Sequence, residues 1–105
     1  MWLDDMCKIV SSVPAGKVVS YGQVSARMGS PRSSRMVGWG LGRLPYNTKV
    51  PWYRVVNRFG ELTIVHPFIK ASTQAELLKK EGVEVKLIGD LYKVDLKKFG
   101  YNFFE

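Results

Sequence analysis

The sequence predicts one α+β domain with a helix-turn-helix in its first half, and three patterns support this prediction. Apolar residues recur at helical spacing in residues 2–12 and again in residues 71–81. Two short helical segments joined by a glycine-containing turn lie between them, in residues 20–43. Apolar residues alternate on both sides of a Gly-Asp pair at 89–90, which is typical of a β-hairpin. Because 105 residues have room for one hydrophobic core, residues 1–105 are predicted to be a single domain.

The N-terminal part contains the first two predicted helices. The first covers residues 2–12 and ends before Pro14. After a short extended link, Ser20 has the character of an N-cap residue, and Gln23 follows three positions later, which is the pattern of a capping box. The second helix is therefore predicted to begin after Ser20 and to run to about Met28.

A third helix is predicted across a tight turn. Gly29 ends the second helix, and Ser30-Pro31 offers a new N-cap with proline at the first helical position. The third helix should then run to about Arg43. Two short helices joined in this way match the helix-turn-helix, in which the second helix of the pair approaches a DNA duplex. Many helical hairpins share the pattern without touching DNA, so charge and downstream residues must carry the distinction.

The C-terminal part alternates loops, strands and one helix. Val50-Pro51 favours an extended backbone, and the segment Trp52–Val56 has strand or short-turn character. The other predicted elements are a loop at 44–47, a turn at 57–60, a strand at 61–65, a helix at 71–81 ended by Gly82, and two strands at 83–88 and 91–96.

The net charge of +7 is concentrated in the middle of the chain. Residues 31–60 contain five arginines, one lysine and no acidic residue, whereas residues 61–105 contain as many acidic residues as lysines. Arginine presents a planar fork of donors that suits phosphates and base edges. The distribution therefore favours a polyanionic partner, either nucleic acid or an acidic membrane surface. A solvated basic face is the alternative.

Composition argues against several other classes of protein. No segment approaches the ~18 uninterrupted apolar residues of a membrane span. Asp4 and Asp5 stand where a secretory signal needs positive charge, so the protein is expected to stay in the compartment that made it. One cysteine and one histidine, Cys7 and His66, are too few ligands for a metal site. No metal and no cofactor are expected.

Two stretches of the chain carry a family resemblance. The first is residues 13–24 (VPAGKVVSYGQV), followed by Gly-Ser-Pro at 29–31 and by residues 34–38 (SRMVG). The second is residues 50–56 (VPWYRVV), with residues 77–83 (LLKKEGV) after it. From about residue 3 to residue 87 the chain resembles the C-terminal DNA-binding domain of O6-alkylguanine-DNA alkyltransferases. The resemblance implies a winged helix-turn-helix-like fold whose third helix enters the minor groove of DNA.

The position of the acceptor cysteine separates two branches of that family. Residues 50–56 fall where alkyltransferases carry a Pro-Cys-His-Arg motif, and Trp52 takes the place of the cysteine. An indole cannot accept an alkyl group as a thiolate does, and Tyr53 replaces the neighbouring histidine base. Tryptophan at this position implies an alkyltransferase-like protein, which binds alkylated guanine and marks it for nucleotide-excision repair without dealkylating it. Glu81 matches the far end of the missing relay and is expected to serve only the fold.

The resemblance also assigns residues to DNA contact and to a lesion pocket. Tyr21 matches a tyrosine that presses on a phosphate beside the lesion, and Arg35 matches an arginine that fills the space left by the rotated nucleotide. The residues expected to bind DNA are Tyr21, Arg32, Ser33, Ser34, Arg35, Trp39 and Arg43. The residues expected to form the lesion pocket are Tyr21, Pro51, Trp52, Tyr53, Val55 and Val65. Arg54 is expected to support the loop of this motif.

Several of these residues have a structural alternative. For Tyr21 it is a buried aromatic residue at a helix start, and for Arg35 it is a surface contact to phosphate. For Trp52 it is a place in the core. Trp39 and Trp2 have no assigned role in the family, so a place in the core is the favoured alternative for Trp39 and the expectation for Trp2.

Two positions depart from the family pattern. Many alkyltransferase-like proteins carry a basic residue that can contact the alkylated base, and the position that aligns with it is Val65. His66-Pro67 replaces a glycine-rich segment of the active alkyltransferases. Discrimination among lesions by charge is therefore not expected here, and the loop that closes the pocket should be built differently.

The sequence as a whole predicts a non-catalytic sensor of alkylated DNA. Its expected partners are double-stranded DNA containing O6-alkylguanine and the damage-recognition proteins of nucleotide-excision repair, with no membrane. A monomer is expected, in the cytoplasm and nucleoid of a prokaryote or in the nucleus of a eukaryote. Two alternatives are a helix-turn-helix transcription regulator that reads a sequence in the major groove, and a residual enzyme that uses Cys7 as the acceptor.

Overall fold

A computed structural model describes residues 2–30, 32–45, 47–63 and 69–104. In chain order the elements are helix α1 (Trp2–Ser11), strand β1 (Val19–Ser20), helix α2 (Tyr21–Arg27), helix α3 (Ser34–Gly42), a 3-10 helix (Trp52–Arg54), strand β2 (Val55–Val56), helix α4 (Ala71–Lys80), strands β3 (Lys86–Ile88) and β4 (Leu91–Lys93), and helix α5 (Leu96–Phe99). Short helices combined with two small sheets make an α+β fold, which confirms the predicted class.

The first two helices closely follow the prediction. Helix α1 ends one residue earlier than expected, and α2 begins directly after its cap. The Ser20 hydroxyl accepts a hydrogen bond from the Gln23 N–H at 3.1 Å, and the Gln23 side-chain oxygen accepts one from the Ser20 N–H at 2.9 Å. This confirms the capping box, a motif whose serine contributes about 1 kcal/mol to stability. The Gln23 amide also donates to the Tyr101 carbonyl at 2.8 Å, which ties α2 to the C-terminal segment.

Helix α3 begins later than predicted. Gly29 ends α2 with a positive φ of 84°, as expected. The N-cap of α3 is Ser33, however, and its side chain makes no capping hydrogen bond. The Ser33 N–H donates instead to the Ser30 carbonyl at 3.0 Å. The prediction of Ser30 as the cap was therefore wrong, because Ser33 closes a turn onto Ser30 before the helix starts.

A short parallel sheet links the helix pair to the second motif of the sequence. Strands β1 and β2 pair in parallel, with Val19 opposite Val55. Both characters predicted for the segment 52–56 occur in it, since a 3-10 helix precedes β2. Successive side chains of a strand point to opposite faces, and the sheet accordingly separates two core clusters. Val19 and Val55 belong to one of them, and Val18 and Val56 belong to the other.

The two clusters divide the helices between them. The first cluster packs α1, α2 and α3 together around Met6, Val24 and Leu41. The second packs α4 through Leu78 and the strand β4 through the neighbouring Val94. Each cluster consists largely of fully buried valine and other aliphatic side chains, so the helix pair rests on a close-packed base.

The strand predicted over residues 61–65 is wrong for the residues that the structure describes. Glu61 makes a single antiparallel bridge to Lys93. Gly60 has a φ of +83°, and a Cβ there would lie 2.1 Å from the Val94 carbonyl oxygen. Residues 60–62 run antiparallel to residues 92–94, since the Leu62 N–H donates to the Tyr92 carbonyl at 3.0 Å and the Val94 N–H donates to the Gly60 carbonyl at 2.8 Å, but this pairing is only one bridge long. The predicted turn at 57–60 is confirmed, and the end of the predicted strand at Val65 lies outside the described residues.

The remaining elements form the C-terminal part. Helix α4 is one residue shorter than predicted, and Gly82 with a φ of +87° follows its end. The predicted hairpin is confirmed around Gly89, although each of its strands has three residues and not six.

Helix α5 was not predicted, since its first residue was assigned to the last strand. Asp95 caps the helix by accepting a hydrogen bond from the Lys97 N–H at 2.9 Å, and an aspartate at that position ends β4 early. None of the helices described here is long and apolar enough to cross a membrane.

Candidate nucleic-acid interface

An open cleft of about 790 Å³ runs along the exposed side of α3. Its lining consists of small, aromatic, amide, hydroxyl and arginine side chains: Tyr21, Ser34, Arg35, Gly38, Trp39, Gly42, Arg43, Asn57 and Thr63. Among the residues that the structure describes, no carboxylate lines the cleft. Five of the seven residues predicted to bind DNA line the cleft together.

Helix α3 presents one face to the cleft and another to the core. The cleft face is formed by two rows at four-residue spacing, Ser34, Gly38 and Gly42 in one row and Arg35, Trp39 and Arg43 in the other. On the opposite side, Val37 and Leu41 are buried. A Cβ at Gly40 would lie 3.0 Å from the Met6 sulfur, so α1 packs closely against α3 at this point. The close contact fixes the rotation of α3 and keeps the arginine row outward.

Tyr21 stands at the first position of α2, directly after the Ser20 cap. Its half-buried ring packs against Gly38, where a Cβ would lie 3.7 Å from the ring. Burial raises the pKa of the Tyr21 phenol, and a hydrogen bond with Thr63 acts in the opposite direction. The phenol is therefore protonated at neutral pH and can donate a hydrogen bond to an anion. Tyr21 also packs against the first core cluster, so it joins the cleft to the interior.

The arginines of the cleft are exposed, and no ion pair within the described residues involves them. Arg35 lies in the first turn of α3, and Arg43 caps its end. The guanidinium carbon of Arg43 lies 4.3 Å from the ring centroid of Trp39, a cation–π distance. Both charges are thus available to a polyanion in the cleft.

Trp39 is 54% exposed, so the alternative that placed it in the core is wrong. Trp2 is half-buried and packs against the first core cluster, as expected for it. The ring centroids of the two indoles are 6.0 Å apart. Helix α1 therefore supports Trp39 from beside the cleft.

Two residues predicted to bind DNA do not line the cleft. Arg32 is exposed in the turn before α3, and Ser33 is the half-buried N-cap of that helix. Both directly precede Ser34 and Arg35, which line the cleft. Their contact with DNA stays a prediction.

Most of the predicted lesion pocket lies in the interior. Pro51 and Val55 are buried, and Trp52 is 7% exposed within the first core cluster. Tyr53 is half-buried and meets Trp52 edge to face, with ring centroids 5.7 Å apart. The described residues thus leave these four side chains outside the open cleft, and only Tyr21 belongs to both. Val65, the sixth member, lies outside the described residues. A pocket for a base at Trp52 stays a prediction.

Arg54 and Glu81 form a partly buried ion pair beneath the motif. Arg54 Nε donates to Glu81 Oε1 at 2.9 Å, Nη2 donates to Oε2, and Nη1 donates to the Val13 carbonyl at 2.8 Å. The Tyr53 hydroxyl also donates to Glu81 Oε2 at 2.8 Å. The hydrogen bonds from Arg54 are the main cause that lowers the pKa of Glu81, while burial opposes them. The arrangement fits the expected role of Arg54 in supporting the loop and of Glu81 in the fold.

The sequence did not predict the place of Asn57 and Thr63 in the cleft. The Asn57 side-chain oxygen accepts hydrogen bonds from the Phe59 and Glu61 N–H groups, both at 2.9 Å. The asparagine therefore builds its own turn and offers the edge of that turn to the cleft. An asparagine before an Arg-Phe-Gly turn was the available signal, but it indicated only the turn.

The lone thiol is not part of the interface. Cys7 lies on α1 and does not line the cleft. Burial, and then the negative charge of Asp4, raises the pKa of the Cys7 thiol, so little of it is thiolate at neutral pH. Within the described ranges, no three His, Cys, Asp or Glu residues come together in a way that could hold a metal ion.

Comparison with known proteins assigns this arrangement to a family. The sequence profile described as the DNA-binding domain of 6-O-methylguanine DNA methyltransferase matches residues 2–83, which contain the helix pair, the 3-10 segment and α4. The chain belongs to this family. The resemblance stated from residues 13–24 and 50–56 is thereby confirmed. The hairpin β3–β4 and α5 lie beyond the matched residues.

Two relatives of this family member are similar to it over most of their length. A DNA base-flipping protein of Escherichia coli (strain K12) is 41% identical over 96 residues, which cover 91% of this chain and 70% of the relative. Alkyltransferase-like protein 1 of Schizosaccharomyces pombe is 34% identical over 92 residues, which cover 86% of this chain and 84% of the relative.

A solved structure extends the likeness to the fold. The S. pombe protein Atl1, in complex with damaged DNA containing O6-carboxymethylguanine, matches this chain with a TM-score of 0.85 at 33% identity. The match covers 96% of this chain and 94% of that one. The winged helix-turn-helix-like fold of the alkyltransferase DNA-binding domain is thus confirmed for this chain, including the C-terminal elements that the family profile omits.

Proposed function

We propose that this protein binds double-stranded DNA containing O6-alkylguanine, rotates the damaged nucleotide out of the helix, and releases it with the alkyl group in place. The observation that carries the proposal is the cleft in which Tyr21 and Arg35 stand together and whose described lining contains no carboxylate. A base-flipping protein at 41% identity and a homologous structure with alkylated DNA support the same function.

Tyr21 and Arg35 suit the two halves of the rotation. Tyr21 is a neutral hydroxyl donor braced by Gly38 and Thr63, and it can press on a phosphate without being displaced. Arg35 is exposed on the cleft side of α3 and can enter the stack when the nucleotide leaves. Flipping a base costs a few kcal/mol, and an inserted guanidinium offsets part of that cost by stacking on the neighbours and by hydrogen bonding the orphaned base.

The chain offers no acceptor for the alkyl group at this site. The resemblance places Trp52 where alkyltransferases hold their nucleophilic cysteine, and an indole carbon or N–H is not a thiolate-like nucleophile. The one thiol, Cys7, lies outside the cleft and has a raised pKa. A sensor that binds the lesion without repairing it accounts for both features.

The proposal is tested by titrating the protein against two duplexes that differ only by one O6-methylguanine, at a fixed salt concentration. We expect at least about 10-fold tighter binding to the damaged duplex, a difference of about 1.4 kcal/mol. The intact mass of the protein, measured after the titration, should be unchanged. The stoichiometry of the same titration should be one chain for each lesion, which tests the expected monomer.

Each other outcome points to one of the alternatives. Equal binding to the two duplexes would reject lesion recognition and would favour a sequence-reading regulator. A mass increase of one methyl group would reject the non-catalytic role. The variant Cys7→Ser would then show whether Cys7 carries the methyl group.

We further propose that the bound complex marks the lesion for nucleotide-excision repair. A protein that binds a lesion and cannot remove it protects a cell only when another pathway completes the repair. Deleting its gene should therefore sensitise cells to a methylating agent about as strongly as deleting an excision-repair damage-recognition gene. The double deletion should be no more sensitive than the more sensitive single deletion. Additive sensitivity would place the protein outside that pathway.

A further inference from the structure

We propose that Trp39 and Arg43 form a second DNA contact, which holds one undamaged nucleotide and contributes affinity whether or not a lesion is present. The inference rests on the proposed function only in that DNA occupies the cleft. It adds a subsite at the C-terminal end of α3, away from Arg35 and Tyr21.

The two side chains are already assembled without DNA. The Arg43 guanidinium carbon lies 4.3 Å above the Trp39 ring, and the Trp2 ring lies 6.0 Å from the same indole at an interplanar angle of 36°. Trp39 nevertheless keeps 54% of its surface exposed, which is unusual for so large an aromatic residue. A preassembled pair loses little side-chain freedom on binding, so more of its contact energy appears as affinity.

The chemistry of the pair matches that of one nucleotide. A nucleotide joins an apolar sugar and base to an anionic phosphate, and the pair joins an apolar ring to a cation. A guanidinium stacked on an aromatic face still has its N–H groups in its own plane, where they can donate to phosphate oxygens. In the described part of the chain, no acidic side chain lines the cleft and no ion pair involves Arg43.

The position of the pair explains why its contribution should not depend on the lesion. Arg43 follows Arg35 by eight residues, which is about 12 Å along a helix at 1.5 Å per residue. At about 3.4 Å of duplex for each step, the pair would contact DNA about three to four steps from the nucleotide at Arg35. The indole would then pack on an ordinary sugar or base, and the guanidinium would neutralise an ordinary phosphate.

The test compares Trp39→Ala and Arg43→Met with the wild type on the damaged and the undamaged duplex. Trp39→Ala should weaken binding to both duplexes by the same factor, about 10-fold, because the apolar contact between the indole and a sugar is the same with or without a lesion. Arg43→Met should also weaken both equally and should lower the slope of log affinity against log salt by about one. The fold-loss of affinity for the double variant should be smaller than the product of the fold-losses for the two single variants, since each side chain positions the other.

A matched control exists in the same chain. Arg58 lies 4.7 Å above the ring of Phe59, which is 53% exposed, and neither residue lines the cleft. The variants Phe59→Ala and Arg58→Met remove a pair of the same kind and similar exposure whose side chains belong to the turn beside the cleft and not to its lining. Trp39→Phe gives a further readout on the undamaged duplex, where no lesion can enter the pocket expected at Trp52. There a DNA-induced change in tryptophan emission should disappear with Trp39.

Either of two results would overturn the inference: a Trp39→Ala affinity no lower than that of Phe59→Ala, or a loss confined to the damaged duplex. The proposed function fails separately, if the wild type binds the two duplexes equally. In that case an equal loss for Trp39→Ala on both duplexes would still establish the contact at Trp39 and Arg43.

Discussion

Replacing Arg35 with alanine should lower the affinity for a duplex containing one O6-methylguanine by about 10- to 100-fold, and that for the undamaged duplex by only about two- to five-fold. Arg35 lies in the first turn of α3 and faces the cleft. If it only contacted a phosphate there, it would contribute equally to the affinity for both duplexes. Only an arginine that replaces a rotated nucleotide contributes more when a lesion is present. The two dissociation constants, measured at one salt concentration, give the difference directly.

Tyr21 should show the same selectivity by a different route. Tyr21→Phe keeps the ring packed on Gly38 and removes only the hydroxyl that faces Thr63. We expect this variant to lose affinity mainly for the damaged duplex, by about 10-fold, since a charge-assisted hydrogen bond is lost in the flipped state. Tyr21→Ala should lose more affinity than Tyr21→Phe for both duplexes, because it also removes the ring that packs between α2 and α3.

The control for both residues is Arg32→Ala. Arg32 is exposed near the same end of α3 but does not line the cleft. Removing Arg32 should weaken binding to both duplexes by a similar small factor and should reduce the salt dependence of binding. If Arg35→Ala and Tyr21→Phe behaved as Arg32→Ala does, with equal losses on both duplexes, rotation of the nucleotide by these residues would be ruled out.

The largest effect on stability is expected from the ion pair beneath the 3-10 segment. Glu81→Gln should lower the free energy of unfolding by about 2–4 kcal/mol at pH 7, because it leaves the Arg54 charge partly buried without its counter-charge. Each side chain of the pair is only 14% exposed, so water compensates little. Chemical denaturation monitored by tryptophan fluorescence measures the difference.

The pH dependence of this effect has a definite sign. The hydrogen bonds from Arg54 lower the pKa of Glu81 below its ordinary value of 4.5. The pair therefore stabilises the fold fully above about pH 4.5, and this stabilisation is lost as the pH falls through the lower pKa of the folded state. The difference in the free energy of unfolding between the wild type and Glu81→Gln should be constant from about pH 6 to pH 8 and should become smaller in acid.

A surface pair of the same types provides the control. Lys98 Nζ lies 3.6 Å from Glu84 Oε1, and both side chains are 61% exposed. Glu84→Gln should change stability by less than about 0.5 kcal/mol at any pH, since solvent screens the pair. A Glu81→Gln variant as stable as Glu84→Gln, or a gap that widened in acid, would contradict the structural role of the buried pair.

Local chemistry was sufficient to predict elements whose stabilising contacts are close in sequence. The capping box of Ser20 and Gln23 and the glycine ends at Gly29 and Gly82 depend on neighbouring backbone groups, and all are found as predicted. The start of α3 and the strand after Gly60 were mispredicted because backbone contacts decide them. One is the turn closed by Ser33 on Ser30, and the other is the pairing of residues 60–62 with β4, which is only one bridge long.

The same division applies to the candidate site. Residues 31–60 contain basic residues and no acidic ones, and together with the helix-turn-helix pattern this indicated that the third helix binds DNA. Five of the residues predicted to bind DNA do line one cleft along that helix. Spacing alone could not place Trp39, since an indole on an amphipathic helix faces either side with a small change in rotation. The packing of Gly40 against Met6 sets that rotation and leaves Trp39 exposed.

The sequence by itself determined the family, the α+β class, the concentration of arginine in one segment and the tryptophan at the acceptor position, because these are properties of residue identity and order. Only the tertiary structure decided that Trp52 is buried while Trp39 is exposed, that Arg54 pairs with Glu81 while no ion pair among the described residues involves Arg43, and that Asn57 and Thr63 join the cleft. Each of these depends on contacts between segments far apart in the chain, where burial and pairing are set by packing and not by the residues next in sequence.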